Sequence, residues 1–243
     1  MSRTIRCAVV PLREGRHTLE PEVARYLLRV HRLRQGDAFI AFDPEARVEA
    51  LARLVTDHPK APVCEIATPV AATLVSTLPV TLLQALGKGD KLDRVVRDAT
   101  QLGAQRIVLC QTERSIPEFA GKQRDKERRY ARIALEAARQ SGRGDVPVLE
   151  GPLALTAALA SVADASLKLA FHAAGETNLR QLFSKQPAPP ASVAACVGPE
   201  GGLSDTELDE LALSGFSLVR LGPFTLRTET AAIAALAAIA EYC

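Results

Sequence analysis

The sequence predicts an α/β fold, a mostly parallel sheet flanked by helices, preceded by a small N-terminal β-barrel. Three observations predict it. Up to residue 72 the pattern gives several short strands and one helix, which suits a small barrel. From Val80 onward strands and helices alternate, the pattern of a parallel sheet. Near the C-terminus two segments each read as strand end, loop and helix start, and loops at the carboxyl ends of such strands are where ligands bind in open α/β sheets. The expected organisation is one domain over residues 1–72 and a second over 73–243, with the stretch from Thr68-Pro69 through Pro79 as the linker.

Taken in order, Thr4 to Val10 alternates and is β-branched enough for a strand. Pro21 opens a helix at its first position, with Val23, Tyr26, Leu27 and Val30 as its apolar face. Gly36-Asp37 and Asp43-Pro44 turn the chain around a strand from Ala38 to Phe42, and Arg47 to Val55 and Val63 to Thr68 supply more strands. In the second part Val80 to Leu86 is a strand, Asp90 caps a helix to about Leu102, Gly103 stops it, and Arg106 to Cys110 is the next strand. Lys122 to Gln140 is a basic amphipathic helix with Tyr130, Ile133, Ala134 and Ala137 on one face. A helix near Leu155 to Ser161 and a strand from Leu167 to Phe171 follow, then a stiff connector at Gln186 to Pro190. Ser192 to Val197 is short and uncharged, as a strand covered on both faces is. A helix from Asp205 to Leu213 ends at Gly215, Ser217 to Leu221 is the last strand, and an alanine-rich helix begins near Thr228 with Ile233, Leu236 and Ile239.

Composition narrows the function classes. No apolar run reaches membrane-spanning length, and the N-terminus lacks an apolar signal core. The five cysteines are scattered and include no C-x-x-C, so neither a disulfide framework nor a zinc site is expected, and a reducing cytoplasm fits. Net charge is only +2 but unevenly placed. Residues 76–146 carry 14 Lys/Arg against 9 Asp/Glu, whereas residues 147–243 carry 5 against 10. A basic middle beside an acidic end suggests that a polyanion meets one surface only. Candidate phosphate contacts are Arg25, Arg29 and Arg34 in the first helix region, Lys88 after the Val80 strand, and Arg139 and Arg143 at the end of the basic helix. The competing reading of both clusters is a solvated helix face laced with ion pairs.

The chemistry concentrates in the two strand-end loops. Gly198-Pro199-Glu200-Gly201-Gly202 lets the backbone turn sharply and approach a ligand, and Ser204 with Glu207 forms an S-x-x-E capping box for the helix behind it. No G-x-x-x-x-G-K-[ST] is present, and the acid Glu200 within the loop disfavours phosphate. The second loop reads Leu221-Gly222-Pro223-Phe224-Thr225-Leu226-Arg227-Thr228-Glu229-Thr230-Ala231.

These two segments together resemble the signature of the ribosomal RNA small subunit methyltransferase E family, of the SPOUT superfamily. Gly87-Lys88-Gly89-Asp90-Lys91-Leu92-Asp93, Gln101-Leu102-Gly103 and Gln140-Ser141-Gly142-Arg143 are similar to further segments of that family. The resemblance implies S-adenosylmethionine-dependent methylation of N3 of a uridine in 16S rRNA, with the small ribosomal subunit as partner and no metal. It also implies a trefoil-knotted sheet, a PUA-like RNA-binding N-terminal barrel and a homodimer. Three positions depart from the family pattern: Gln101, Arg139 and Phe224.

On this reading the cofactor pocket is drawn from Phe171, His172, Val197, Gly198, Pro199, Glu200, Gly201, Gly202, Leu221, Gly222, Leu226 and Thr228: glycine backbone plus apolar walls. Uracil becomes anionic as N3 loses its proton, and a fixed guanidinium stabilises that charge, which makes Arg227 the candidate catalytic residue. Glu229 is the nearest carboxylate for a general base, although at a helix start it equally serves the helix dipole or pairs with Arg227. His172 has a suitable resting pKa but sits where loop residues usually do. Two alternatives stay open: a methyltransferase of the same superfamily acting on tRNA, and a non-catalytic RNA-binding protein on the same fold.

Overall fold

The computed structural model describes residues 4–58, 61–87, 89–115, 123–184 and 188–242. Two compact units divide the chain: Met1–Val75 with Leu135–Val146, and Ser76–Ala134 with Pro147–Cys243. The sequence placed a single cut after residue 72. The difference lies in residues 135–146, which the periodicity of the basic helix assigned to the second domain and which group with the first. A helical repeat shows which face is apolar, not which body that face joins.

The first unit holds strands β1 (Arg6–Ala8), β2 (Gly15–Thr18), β3 (Ala38–Asp43), β4 (Val48–Thr56), β5 (Val63–Ile66) and β6 (Val70–Ala71). They pair in the order β1-β3-β4-β5-β2, with β6 on β4. Only β1 and β3 run parallel. Among the described residues no ladder joins β1 to β2, so the pairing is that of a six-stranded mixed sheet. Its core includes Cys7, Leu27, Phe39, Ala41, Leu54, Cys64 and Ile66. The β3–β4 hairpin turns where Asp43 Oδ1 accepts the amides of Glu45 and Ala46 while Oδ2 accepts that of Leu12, which is why this carboxylate is buried. Part of the expected linker is ordered instead: β6 pairs with β4, and Glu49 accepts both the amide and the hydroxyl of Thr73. Helix α1 (Pro21–Ala24) starts at Pro21 as expected and then continues as a π-helical turn, Arg25–Val30. The wider turn shifts the register of the side chains, so Leu27 is fully buried while Val30, expected on the same face, is 62% exposed.

The second unit is a six-stranded, all-parallel sheet. Its strands are β7 (Val80–Ala85), β8 (Arg106–Gln111), β9 (Val148–Ala154), β10 (Leu167–Phe171), β11 (Val193–Val197) and β12 (Ser217–Val219), in the spatial order β12-β10-β11-β7-β8-β9. Every residue of β11 is buried, as its uncharged sequence implied. The helices are α2 (Lys91–Gln101), α3 (Gln123–Ser141), α4 (Leu155–Ala160), α5 (Leu179–Phe183), α6 (Asp205–Leu213) and α7 (Thr228–Tyr242). α3 passes from the second unit into the first at Leu135. Alternation along the strands sorts the core: Leu83, Ala85, Val108, Cys110, Ala194 and Cys196 share a cluster with α4 and with Leu211 of α6. α2 and α7 pack together, and α7 also packs on β11. Burial drives the Cys196 thiol up to about 12 and that of Cys110 well above its usual range, so both behave as inert core residues.

In the first unit β2 was not expected, and in the second unit two elements were not expected. β9 contains Gly151-Pro152, and proline within a run argues against a strand. It is tolerated here because β9 is an edge strand and its pairing with β8 slips between Val108 and Cys110. α5 is a short helix held by a capping box between Asn178 and Gln181. Asp90 occupies the N-cap position of α2, but its side chain makes no capping hydrogen bond. The Ser204–Glu207 box is present in full. No described helix is long and apolar enough to cross a membrane.

Candidate active site

In a parallel sheet all carboxyl ends lie along one edge, and β12, β10 and β11 are neighbours. The loops leaving them must therefore meet. They enclose a cavity of about 370 Å³ lined by Phe171, His172, Val197, Gly198, Pro199, Glu200, Gly202, Leu221, Leu226, Arg227 and Thr228, all anticipated from sequence. Ala173, Leu203, Arg220, Phe224, Thr225 and Ala231 also line it; Phe224, Thr225 and Ala231 belong to the second loop motif, but none of the six was named as a pocket residue. Gly201 and Gly222 do not line it. Gly201 instead faces Arg114, whose Cβ would lie 3.1 Å from a Cβ added at Gly201. Gly222, at a φ of +154°, serves the turn itself.

The two glycine-marked loops are tied to each other. Thr228 Oγ1 donates to the Gly198 carbonyl at 2.7 Å and accepts from Gln84 Nε2 at 3.0 Å. Gln84 is fully buried in β7, in register with Val197, so a polar residue in a core strand is explained by what it holds. From the other side Arg114 Nη1 donates to the Gly201 carbonyl at 3.0 Å, and Lys91 Nζ donates to Glu200 Oε1 at 2.6 Å. Glu207 Oε1 accepts the Glu113 amide at 2.7 Å. Replacing Thr228 by valine keeps the shape, removes the side-chain donor to the part-buried Gly198 carbonyl and strips Gln84 of one acceptor. The expected loss is about 2 kcal/mol of stability, measured by calorimetric unfolding, with serine restoring it.

Each candidate catalytic group has a definite environment. Arg227 is exposed on the cavity wall, and no hydrogen bond or ion pair of its side chain occurs among the described residues. The alternative in which it pairs with Glu229 is not what the structure holds. Glu229 is 8% exposed, is absent from the cavity lining, and its buried Oε2 has no partner among the described residues. A general base needs hydrogen-bond reach to the proton it takes, so Glu229 is corrected to a residue of the first turn of α7. His172 Nδ1 accepts the Ala174 amide at 3.3 Å, which places the proton of a neutral ring on Nε2.

The basic residues divide. Arg25, Arg29 and Arg34 are exposed, as an RNA-facing role needs. Arg143 is corrected: it is 6% exposed and bound through two nitrogens to Asp145, at 2.9 and 3.0 Å. Arg139 is corrected likewise, its guanidinium lying 4.3 Å from the Tyr26 ring centre and pairing with Glu136. A charge count cannot separate buried from solvated guanidinium groups. Lys88 lies outside the described residues.

Residues 75–240, which contain every strand of the parallel sheet, match the family model of the RNA methyltransferase domain. The Ribosomal RNA small subunit methyltransferase E of Synechocystis is 34% identical over 93% of this chain and 73% of its own. That of Bacillus subtilis is 29% identical over 90% and 87%. The protein belongs to the ribosomal RNA small subunit methyltransferase E family. Among solved structures, the Neisseria gonorrhoeae member bound to S-adenosyl methionine superposes with a TM-score of 0.87 at 28% identity, covering 98% of this chain and 97% of that one. A Legionella pneumophila structure in complex with the bound cofactor SAM gives 0.88 at 32% identity, covering 98% and 97%.

Proposed function

We propose that this protein methylates N3 of a uridine in the 16S rRNA of the small ribosomal subunit, using S-adenosylmethionine. The observation that carries the reading is the cavity between the 198–203 and 221–228 loops, with Arg227, unpaired among the described residues, on its wall, in a chain of this family. The residues fit the cofactor. About 370 Å³ is within the range of small-molecule sites. Val197, Leu221 and Leu226 give apolar walls, and the backbone of residues 198–200, 202 and 221 gives polar edges for an adenine and ribose. When bound, S-adenosylmethionine supplies an electrophilic methyl group. Thr228 and Gln84 hold the two loops at a fixed separation, which orients the pocket for in-line transfer. Arg227 stabilises the charge that develops on uracil O2 and O4 as N3 is deprotonated. With Glu229 off the wall, His172 engaged and the one lining carboxylate, Glu200, held by Lys91, lowering the barrier to N3 deprotonation falls to Arg227.

We further read residues 1–72 as the RNA-holding, PUA-like part, supported by the exposure of Arg25, Arg29 and Arg34. The trefoil knot, a homodimeric assembly and a cytoplasmic location follow from the family resemblance. The test is transfer of label from tritiated S-adenosylmethionine to purified small subunits, followed by reverse transcription. A methyl on N3 blocks the Watson–Crick edge, so extension should stop at one uridine. Label appearing in tRNA, with none in small-subunit RNA, would replace this reading with the tRNA alternative.

A further inference from the structure

We propose that the Lys91–Glu200 ion pair sets how strongly the pocket prefers the charged methyl donor over its demethylated product. This rests on the cofactor reading above. S-adenosylmethionine carries a sulfonium charge that S-adenosylhomocysteine lacks, and the two are otherwise nearly the same ligand. Any discrimination between them at the wall of the pocket must therefore be largely electrostatic. Among the described residues lining the cavity there is one carboxylate, Glu200, against the two arginines Arg220 and Arg227. That carboxylate is the single attractive charge the lining offers a sulfonium.

Its strength is set from outside the cavity. Lys91 Nζ, at the start of α2, lies 2.6 Å from Glu200 Oε1, and both side chains are about a third exposed or less, at 28% and 31%. Lys91 itself is not on the lining. The ammonium therefore offsets part of the Glu200 field without touching the ligand. The carboxylate does not depend on Lys91 alone for its position: it packs on Gly87 so closely that a Cβ there would lie 3.1 Å from Oε1. A pocket whose carboxylate is less offset would hold the donor more tightly and release product more easily. One without the carboxylate would hold both alike, and product would inhibit.

Two roles for the pair make different predictions. If the bridge merely pins the glycine loop, breaking it from either end weakens both ligands together. If it sets the charge preference, the two ends act in opposite directions. The experiment is titration calorimetry of the full-length protein with S-adenosylmethionine and with S-adenosylhomocysteine. The ratio of their dissociation constants is compared across wild type, Glu200→Gln, Lys91→Met and Lys91→Arg. Glu200→Gln should shift the ratio toward the product, and Lys91→Met toward the donor, each by about threefold to tenfold for one partly screened charge. Lys91→Arg should leave it unchanged. Equal loss of both ligands, or shifts of the same sign in Glu200→Gln and Lys91→Met, overturns the proposal and leaves the cofactor reading intact. Failure of the wild-type protein to bind either ligand overturns both.

Discussion

Arg227→Ala lowers single-turnover methyl transfer by about 10²–10³-fold while S-adenosylmethionine binds within a few-fold of wild type. The split follows from where the charge develops. An exposed guanidinium with no partner among the described residues adds little to the folded state, and the apolar and backbone contacts proposed for the cofactor lie elsewhere on the wall. What it loses is stabilisation of an anion present only as N3 gives up its proton, and interactions realised only then act on the rate and not on ground-state binding. Lysine at 227 restores part of the rate, as a charge without the planar fork. Raising the pH also rescues the alanine variant in part, because deprotonated uracil becomes more abundant in solution. Loss of cofactor affinity in proportion to the loss of rate would return Arg227 to a purely binding role.

Asp145→Ala destabilises the first unit by about 3–5 kcal/mol, because it leaves a buried guanidinium without its main counter-charge. Arg143 and Asp145 are 6% and 3% exposed, and the Arg143 carbonyl also accepts from Arg6. Urea unfolding followed by circular dichroism measures the loss. The double variant Arg143→Met with Asp145→Leu should be considerably milder, since replacing both charges by apolar groups removes the desolvation cost along with the attraction. A double variant as unstable as the single one would mean that shape at this position matters more than charge.

Much of the cavity was readable because its signals are local. Gly198 to Gly202 follows an uncharged run, and Ser204 with Glu207 is a contiguous capping pattern. All three features sit within residues 192–207. The whole second wall, Leu221 to Thr228, came from a similar contiguous motif. Residues that position the loops from a distance were not readable. Gln84 looks like any polar residue in a half-exposed strand until β7 is found between β11 and β8. Arg114 follows a strand with nothing to mark it, yet it holds the Gly201 carbonyl. β9 was hidden by a glycine and a proline that only an edge strand accepts. Arg139, Arg143 and Glu229 were misjudged for one reason: each is a charged residue whose type is plain in sequence and whose burial is not.

The sheet also dictates when the cavity can come into being. β11 lies directly against β7, pairing Val193 with Val80, and the hydroxyl that closes the two loops belongs to Thr228. A nascent chain still short of α7 can thus assemble β7, β8 and β9 and yet offer no place for the methyl donor. Competence arrives only once α7 has left the ribosome, through contacts of long sequence separation that form slowly. A truncation removing that helix would be not a weakened enzyme but an unfinished one.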